Sequence, residues 1–102
     1  MKKIYTKIGA VMHYYHKFTN TPEDISAIAD LISFSGQRVA PREEDNKVPV
    51  PLRWVSSEEN LVIPHNGKDI VVPMGSFVTV NSEDKKIEVY SITGFGIIFK
   101  HE

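Results

Sequence analysis

Polar and apolar positions alternate over residues 3–18. Ile4, Thr6, Ile8, Ala10, Met12 and Tyr14 share one parity, and Lys3, Tyr5, Lys7, Val11, His13 and Tyr15 share the other. A period of two with β-branched and aromatic residues predicts a strand, interrupted or bulged at Gly9. The even positions are the more apolar, so the alternation assigns them to the core and turns His13, Tyr15 and Lys17 outward or sideways. The period then changes. Ile25, Ile28, Leu31 and Ile32 recur at spacings of three and four, which lines one face of a helix. Thr21 is a good N-cap, Pro22 suits the first helical position, and Glu23 and Asp24 put negative charge at the positive end of the helix dipole. Gly36 suits the stop. The helix is placed at residues 22–34.

Residues 37–51 read as an exposed loop. Arg42, Glu43, Glu44, Asp45, Asn46 and Lys47 form a charged run, with Pro41, Pro49 and Pro51 around it. Leu52, Trp54 and Val55 begin a short strand. Beyond residue 60 strand signals follow one another. Residues 61–64 and 69–73 flank His65, Asn66, Gly67 and Lys68, and an Asn-Gly pair is a strong hairpin signal. Residues 77–81 alternate, with Phe77, Thr79 and Asn81 opposed to Val78 and Val80. A polar turn at 82–85 leads to a second alternating run at 86–91. Gly94 and Gly96 flank Phe95, and residues 97–99 form a last strand, or a helical turn followed by one. One helix segregated from a run of strands gives α+β. The expected fold is an N-terminal strand, the helix, and four or five short antiparallel strands in a curled sheet or small, partly open barrel.

Composition narrows the class. The 102 residues suit one domain, residues 1–102, with the 37–51 loop inside it. Twelve Lys and Arg against thirteen Asp and Glu give a formal charge of -1, which argues against general nucleic-acid binding. The absence of Cys excludes disulfides and thiolate chemistry. No apolar run reaches the roughly 18 residues that a membrane span needs, so no membrane role is expected and the default location is a cytosol.

Catalytic chemistry has little support. His13 and His16 are three apart on a strand, so their rings diverge and do not form a metal pair. None of the serines stands in a nucleophile motif. Gly94-Phe95-Gly96 lacks the spacing of a phosphate loop. No catalytic, cofactor or metal residue is assigned. Tyr14, Tyr15, Trp54 and Tyr90, with the charged Arg42, Glu43, Glu44 and Asp45, are candidate partner contacts, since aromatic side chains often anchor interfaces. Arg38, Arg53, Trp54 and Lys68 are candidates for holding a small nucleotide by stacking and phosphate contacts. An edge strand within 48–55 offers a homodimer contact.

The segment Ile8-Gly-Ala-Val-Met-His-Tyr-Tyr, a polar turn and Pro22-Glu-Asp-Ile-Ser-Ala-Ile-Ala-Asp-Leu-Ile resembles the opening of a family of short uncharacterised phage and prophage accessory proteins. Leu61-Val-Ile-Pro, the Asn-Gly turn and Ile70-Val-Val-Pro-Met-Gly-Ser-Phe-Val-Thr-Val resemble that family's second half, where a Pro-Gly-Asp-Tyr-Ile-like turn leads into a strand. The likeness covers residues 8–36 and 60–99. Met74 and Ser76 depart from the family's small or prolyl residue and Asp, Gly94 and Gly96 stand where it tends to a short helix, and 37–51 looks like an insertion. The resemblance implies no catalytic residues. It implies a small protein made by a phage in the host bacterial cytoplasm. The resulting expectation is a non-enzymatic protein that binds and inhibits a host protein, including a defence factor. A nucleotide sponge and a phage structural or assembly component are the alternatives.

Overall fold

A computed structural model describes residues 1–37, 39–40, 50–51, 53–55, 60–64 and 69–100, with only the backbone of 39–40, 50–51 and 53–55. In chain order the elements are β1 (Lys2–Tyr5), β2 (Met12–Lys17), α1 (Pro22–Phe34), β3 (Val39–Ala40), β4 (Val50–Pro51), β5 (Arg53–Val55), β6 (Asn60–Ile63), β7 (Ile70–Val72), β8 (Phe77–Asn81), β9 (Ile87–Tyr90) and α2 (Ile92–Ile98). The class is α+β. The described strands do not join into one curled sheet, and no closed barrel forms among them. They make an antiparallel four-stranded sheet in the order β1-β2-β8-β9, an antiparallel three-stranded sheet β5-β6-β7, and a short parallel pair β3-β4. The ends of the expected 37–51 loop are therefore tied together by the β3-β4 pair; 41–49 lie outside the described residues. Within 48–55, β5 is an edge strand of the three-stranded sheet.

The long N-terminal alternation is a hairpin, and this corrects the assignment of its faces. Ile4 lies opposite His13 and Lys3 opposite Tyr14, so even positions of β1 face odd positions of β2. Opposed residues of an antiparallel pair share a face. Crossing the turn thus inverts the parity rule. His13, expected to face outward or sideways, is 5% exposed because the segment ending at Phe99 covers its face, while Ile8, expected in the core, is 90% exposed at the tip of the turn.

The central sheet is covered on both sides. On one side Tyr14, Val78, Val80, Ile87 and Val89 pack with Ile25, Ile28, Leu31 and Ile32 of α1, joined by Phe18, Leu61, Ile63 and Val72. On the other side the register places Ile4, His13, Tyr15, Phe77, Thr79 and Tyr90 together. Phe95 and Phe99 close over this side. Phe95 stacks on Phe77 at 3.9 Å between centroids, and the Phe99 ring meets His13 at 4.9 Å and Tyr90 at 5.5 Å. Thr79 is fully buried, and its hydroxyl donates to the Glu88 carbonyl at 3.3 Å. Strand β8 therefore lies in the core on both faces, which its alternating pattern does not announce.

Helix α1 spans the predicted residues. The Thr21 hydroxyl oxygen accepts the Asp24 backbone N–H at 3.1 Å, and Gly36 leaves the helix with φ of 100°, in the left-handed region. Removing the cap leaves that N–H without its intramolecular acceptor. Thr21→Ala is expected to lower stability by about 1 kcal/mol in urea unfolding; a change below a few tenths would mean that solvent caps the helix equally well.

Helix α2 forms despite two internal glycines, each costing about 1 kcal/mol relative to Ala. Ser91 caps it by accepting the Gly94 N–H at 3.1 Å. Phe95 and Phe99, four residues apart, seat the helix and its exit on the sheet. The last segment is thus a helix ending in one bridge, with Phe99 opposite Thr6, and is not a full strand. Among the described residues no helix is long and apolar enough to cross a membrane.

Candidate functional site

The most connected polar group lies where β2 meets α1. Asp24, nearly buried in the first turn of α1, accepts the Thr19 backbone N–H at 2.6 Å, the Thr19 hydroxyl, and His16 Nε2 at 2.6 Å. An ionised carboxylate only accepts, so the His16 proton sits on Nε2. Burial by itself would raise the Asp24 pKa. The hydrogen bonds from Thr19 and His16, and the His16 charge, outweigh burial and hold it below the usual 3.8. The arrangement superficially matches a Ser/Thr-His-Asp set, but the Thr19 hydroxyl donates to the carboxylate and not to the imidazole. The geometry is therefore that of a fastening between strand and helix, with Asp24 as the common acceptor.

His13 and His16 lie on opposite faces of the sheet, as their spacing requires. His13 donates from Nδ1 to the Val11 carbonyl at 3.2 Å and packs edge-on against Phe99. Among the described residues no three His, Cys, Asp or Glu gather into a metal-binding group.

Of the predicted contact residues with described side chains, Tyr15 and Tyr90 share the α2 side of the sheet and Tyr14 lies on the other. Tyr14 packs edge-on against Phe34 at 4.9 Å, on the α1 side. Tyr15 lies on the α2 side, 5.3 Å from Phe95 and 6.3 Å from Phe77. Tyr90 is half-buried, and its hydroxyl donates to Glu88 at 2.9 Å; burial, then the Glu88 hydrogen bond and charge, push its pKa up to about 12. Arg42, Glu43, Glu44 and Asp45 lie outside the described residues, as do Arg38 and Lys68. Of Arg53 and Trp54 only the backbone is described, in β5. The arrangement of the side chains of Arg38, Arg53, Trp54 and Lys68 thus lies outside the described residues.

The surface feature missed by parity is apolar. Ile8, Ile97 (66% exposed) and Ile98 (39% exposed), with Thr6 and Lys7, wall a groove of about 400 Å³. It sits between the β1–β2 turn and the end of α2, which are joined by Lys7 N–H to the Ile98 carbonyl and Lys100 N–H to the Tyr5 carbonyl, both 2.9 Å. The turn is braced from within. The Thr6 hydroxyl donates to the Ile8 carbonyl at 2.7 Å and accepts the Val11 N–H at 2.9 Å, while Gly9 and Ala10 take positive φ. A second apolar site, with Met74 and Ile92 exposed, flanks the start of α2. The only sequence signal for the first groove was the pair of apolar residues beside Gly9 and Gly96. No family model, curated protein or solved structure matches the chain.

Proposed function

We propose that this chain is a non-enzymatic accessory protein that binds and inhibits a protein of a bacterial host, acting in the cytoplasm as a phage product would. The observation that supports this reading is the grouping of Ile8, Ile97 and Ile98 at one braced end of the molecule. Exposed apolar side chains that cluster, and do not scatter singly, mark interaction surfaces. Their support is stiff. The hairpin turn is internally hydrogen-bonded and α2 is stacked on the sheet, so little ordering entropy is lost on binding.

The test compares tagged wild-type protein with Ile97→Asp in quantitative pull-downs from bacterial lysate. Ile97 is mostly exposed, so the variant is expected to keep its fold by circular dichroism. A host protein should be retained by the wild type and reduced about tenfold or more by the variant, the scale of losing one interface anchor. An identical profile from both proteins would reject this surface as the point of contact.

A further inference from the structure

We propose that the groove of Ile8, Ile97 and Ile98 docks an acidic segment carrying apolar anchors, presented by the partner protein; this rests on the protein-binding reading above. The argument comes from local charge. The chain as a whole is nearly neutral, at -1. Residues 1–18, which build β1, the turn and β2, contain Lys2, Lys3, Lys7 and Lys17 and no Asp or Glu. Residues 91–100, which build α2 and its exit, contain Lys100 and again no Asp or Glu. The fold lays these two stretches side by side through the Thr6–Phe99 bridge. The groove is thus walled by isoleucines and built from elements whose charged side chains are all lysines.

Among the described residues no acid walls the groove; Glu102, two residues past Lys100, lies outside the described residues. Glu83 and Asp84 belong to the 82–85 turn, fastened to β2 by the Ser82 N–H and hydroxyl on the Met12 carbonyl, and Asp84 accepts the Lys86 N–H at 2.9 Å. Glu23 and Asp30 lie on α1, across the sheet. A second copy docked here about a two-fold axis would set Lys7 and Lys100 near their own counterparts, a like-charge arrangement. A concave groove receives a protruding side chain, whereas a flat bilayer favours a convex apolar ridge. Leu or Ile anchors flanked by Glu or Asp satisfy both the apolar walls and the lysines, with the charge steering encounter and the anchors slowing release.

The probe is a fluorescein-labelled amphipathic peptide of Leu and Glu, paired with the same peptide carrying Lys for Glu. Fluorescence anisotropy should show the Glu peptide binding about tenfold or more tightly than the Lys peptide, with the preference shrinking as salt rises. Ile97→Asp should abolish binding, and Lys7→Glu with Lys100→Glu should remove the preference for Glu. Equal binding of both peptides, or binding indifferent to Ile97→Asp, overturns the proposal. So does a wild-type dimer in analytical ultracentrifugation that Ile97→Asp dissolves, which would assign the groove to a second copy. Cosedimentation with phosphatidylcholine vesicles containing phosphatidylserine, lost in Ile97→Asp, would overturn it in favour of a membrane surface. If a lysate partner is lost with Ile97→Asp but unaffected by the lysine reversals, the protein-binding reading stands and the acidic-segment proposal falls.

Discussion

Phe99→Ala is expected to lower the unfolding free energy by about 3–5 kcal/mol, the range for deleting a buried aromatic ring. Phe99 is 1% exposed and touches the rings of His13, Tyr90 and Phe95. It is also the residue whose bridge to Thr6 fastens the chain's end against the first hairpin. Its removal opens a cavity on the side of the sheet that α2 alone covers, and a seven-residue helix with two glycines has little propensity of its own to hold its place. With a urea slope of about 1–3 kcal/mol/M, the midpoint should fall by one molar or more. A shift of only a few tenths of a molar would show that α2 and its aromatics contribute little, and that the α1 side carries the fold. Because α2 also carries Ile97 and Ile98, this variant should weaken any binding at the groove together with stability.

Asp24→Ala is expected to cost about 2–3 kcal/mol, since hydrogen bonds to a charged group count for more than neutral ones and the donors left behind are partly buried. Asp24 receives the Thr19 N–H, the Thr19 hydroxyl and His16, and so joins the end of β2 to the start of α1. His16→Ala removes one of these donors and should cost less, about 1 kcal/mol. The pH dependence separates the carboxylate's contribution from packing. The folded-state pKa of Asp24 lies below the ordinary 3.8, so the unfolded chain binds this proton more readily than the folded one. The stabilisation is therefore complete well above pH 3.8 and is lost as pH falls through the lower folded value. Urea midpoints of wild type and Asp24→Ala should differ most near neutral pH and converge under acid. A gap that stays constant into acid would mean that the side chain acts through shape alone.

The parts that were legible in the sequence are the ones decided within a few residues. Helix α1 follows from Thr21, Pro22 and the Ile25-Ile28-Leu31-Ile32 stripe, because cap and periodicity are both local. The β8-β9 hairpin follows from its alternation and polar turn, and β6 pairs with β7 on either side of the expected Asn66-Gly67 turn, which itself lies outside the described residues. The errors lie where a distant partner decides. Parity erred on His13, marked outward or sideways, because the cover that α2 gives to its face is not visible along β2, and on Ile8, marked inward, because it lies in the turn and not in a strand. Tyr14 and Tyr15, both candidate partner contacts, enter opposite layers as neighbours on a strand do, one against Phe34 and the other against Phe95.

The chain's own order of residues determined the α+β class, the helix with its cap, the 82–85 turn and the divergence of His13 from His16. Each of these rests on backbone preference and side-chain period over a single element. Only the tertiary structure decided that β8 sits between β2 and β9, that the sheet is buried on both faces, and that Gly94 and Gly96 belong to a helix. Those outcomes depend on pairing β2 with a strand some sixty residues away in sequence and on aromatic rings that stabilise a poor helix only after the sheet exists to receive them. The isoleucine groove arises the same way. Ile8 and Ile97 are unremarkable where they stand in the sequence, and become one surface when Phe99 closes the chain against Thr6.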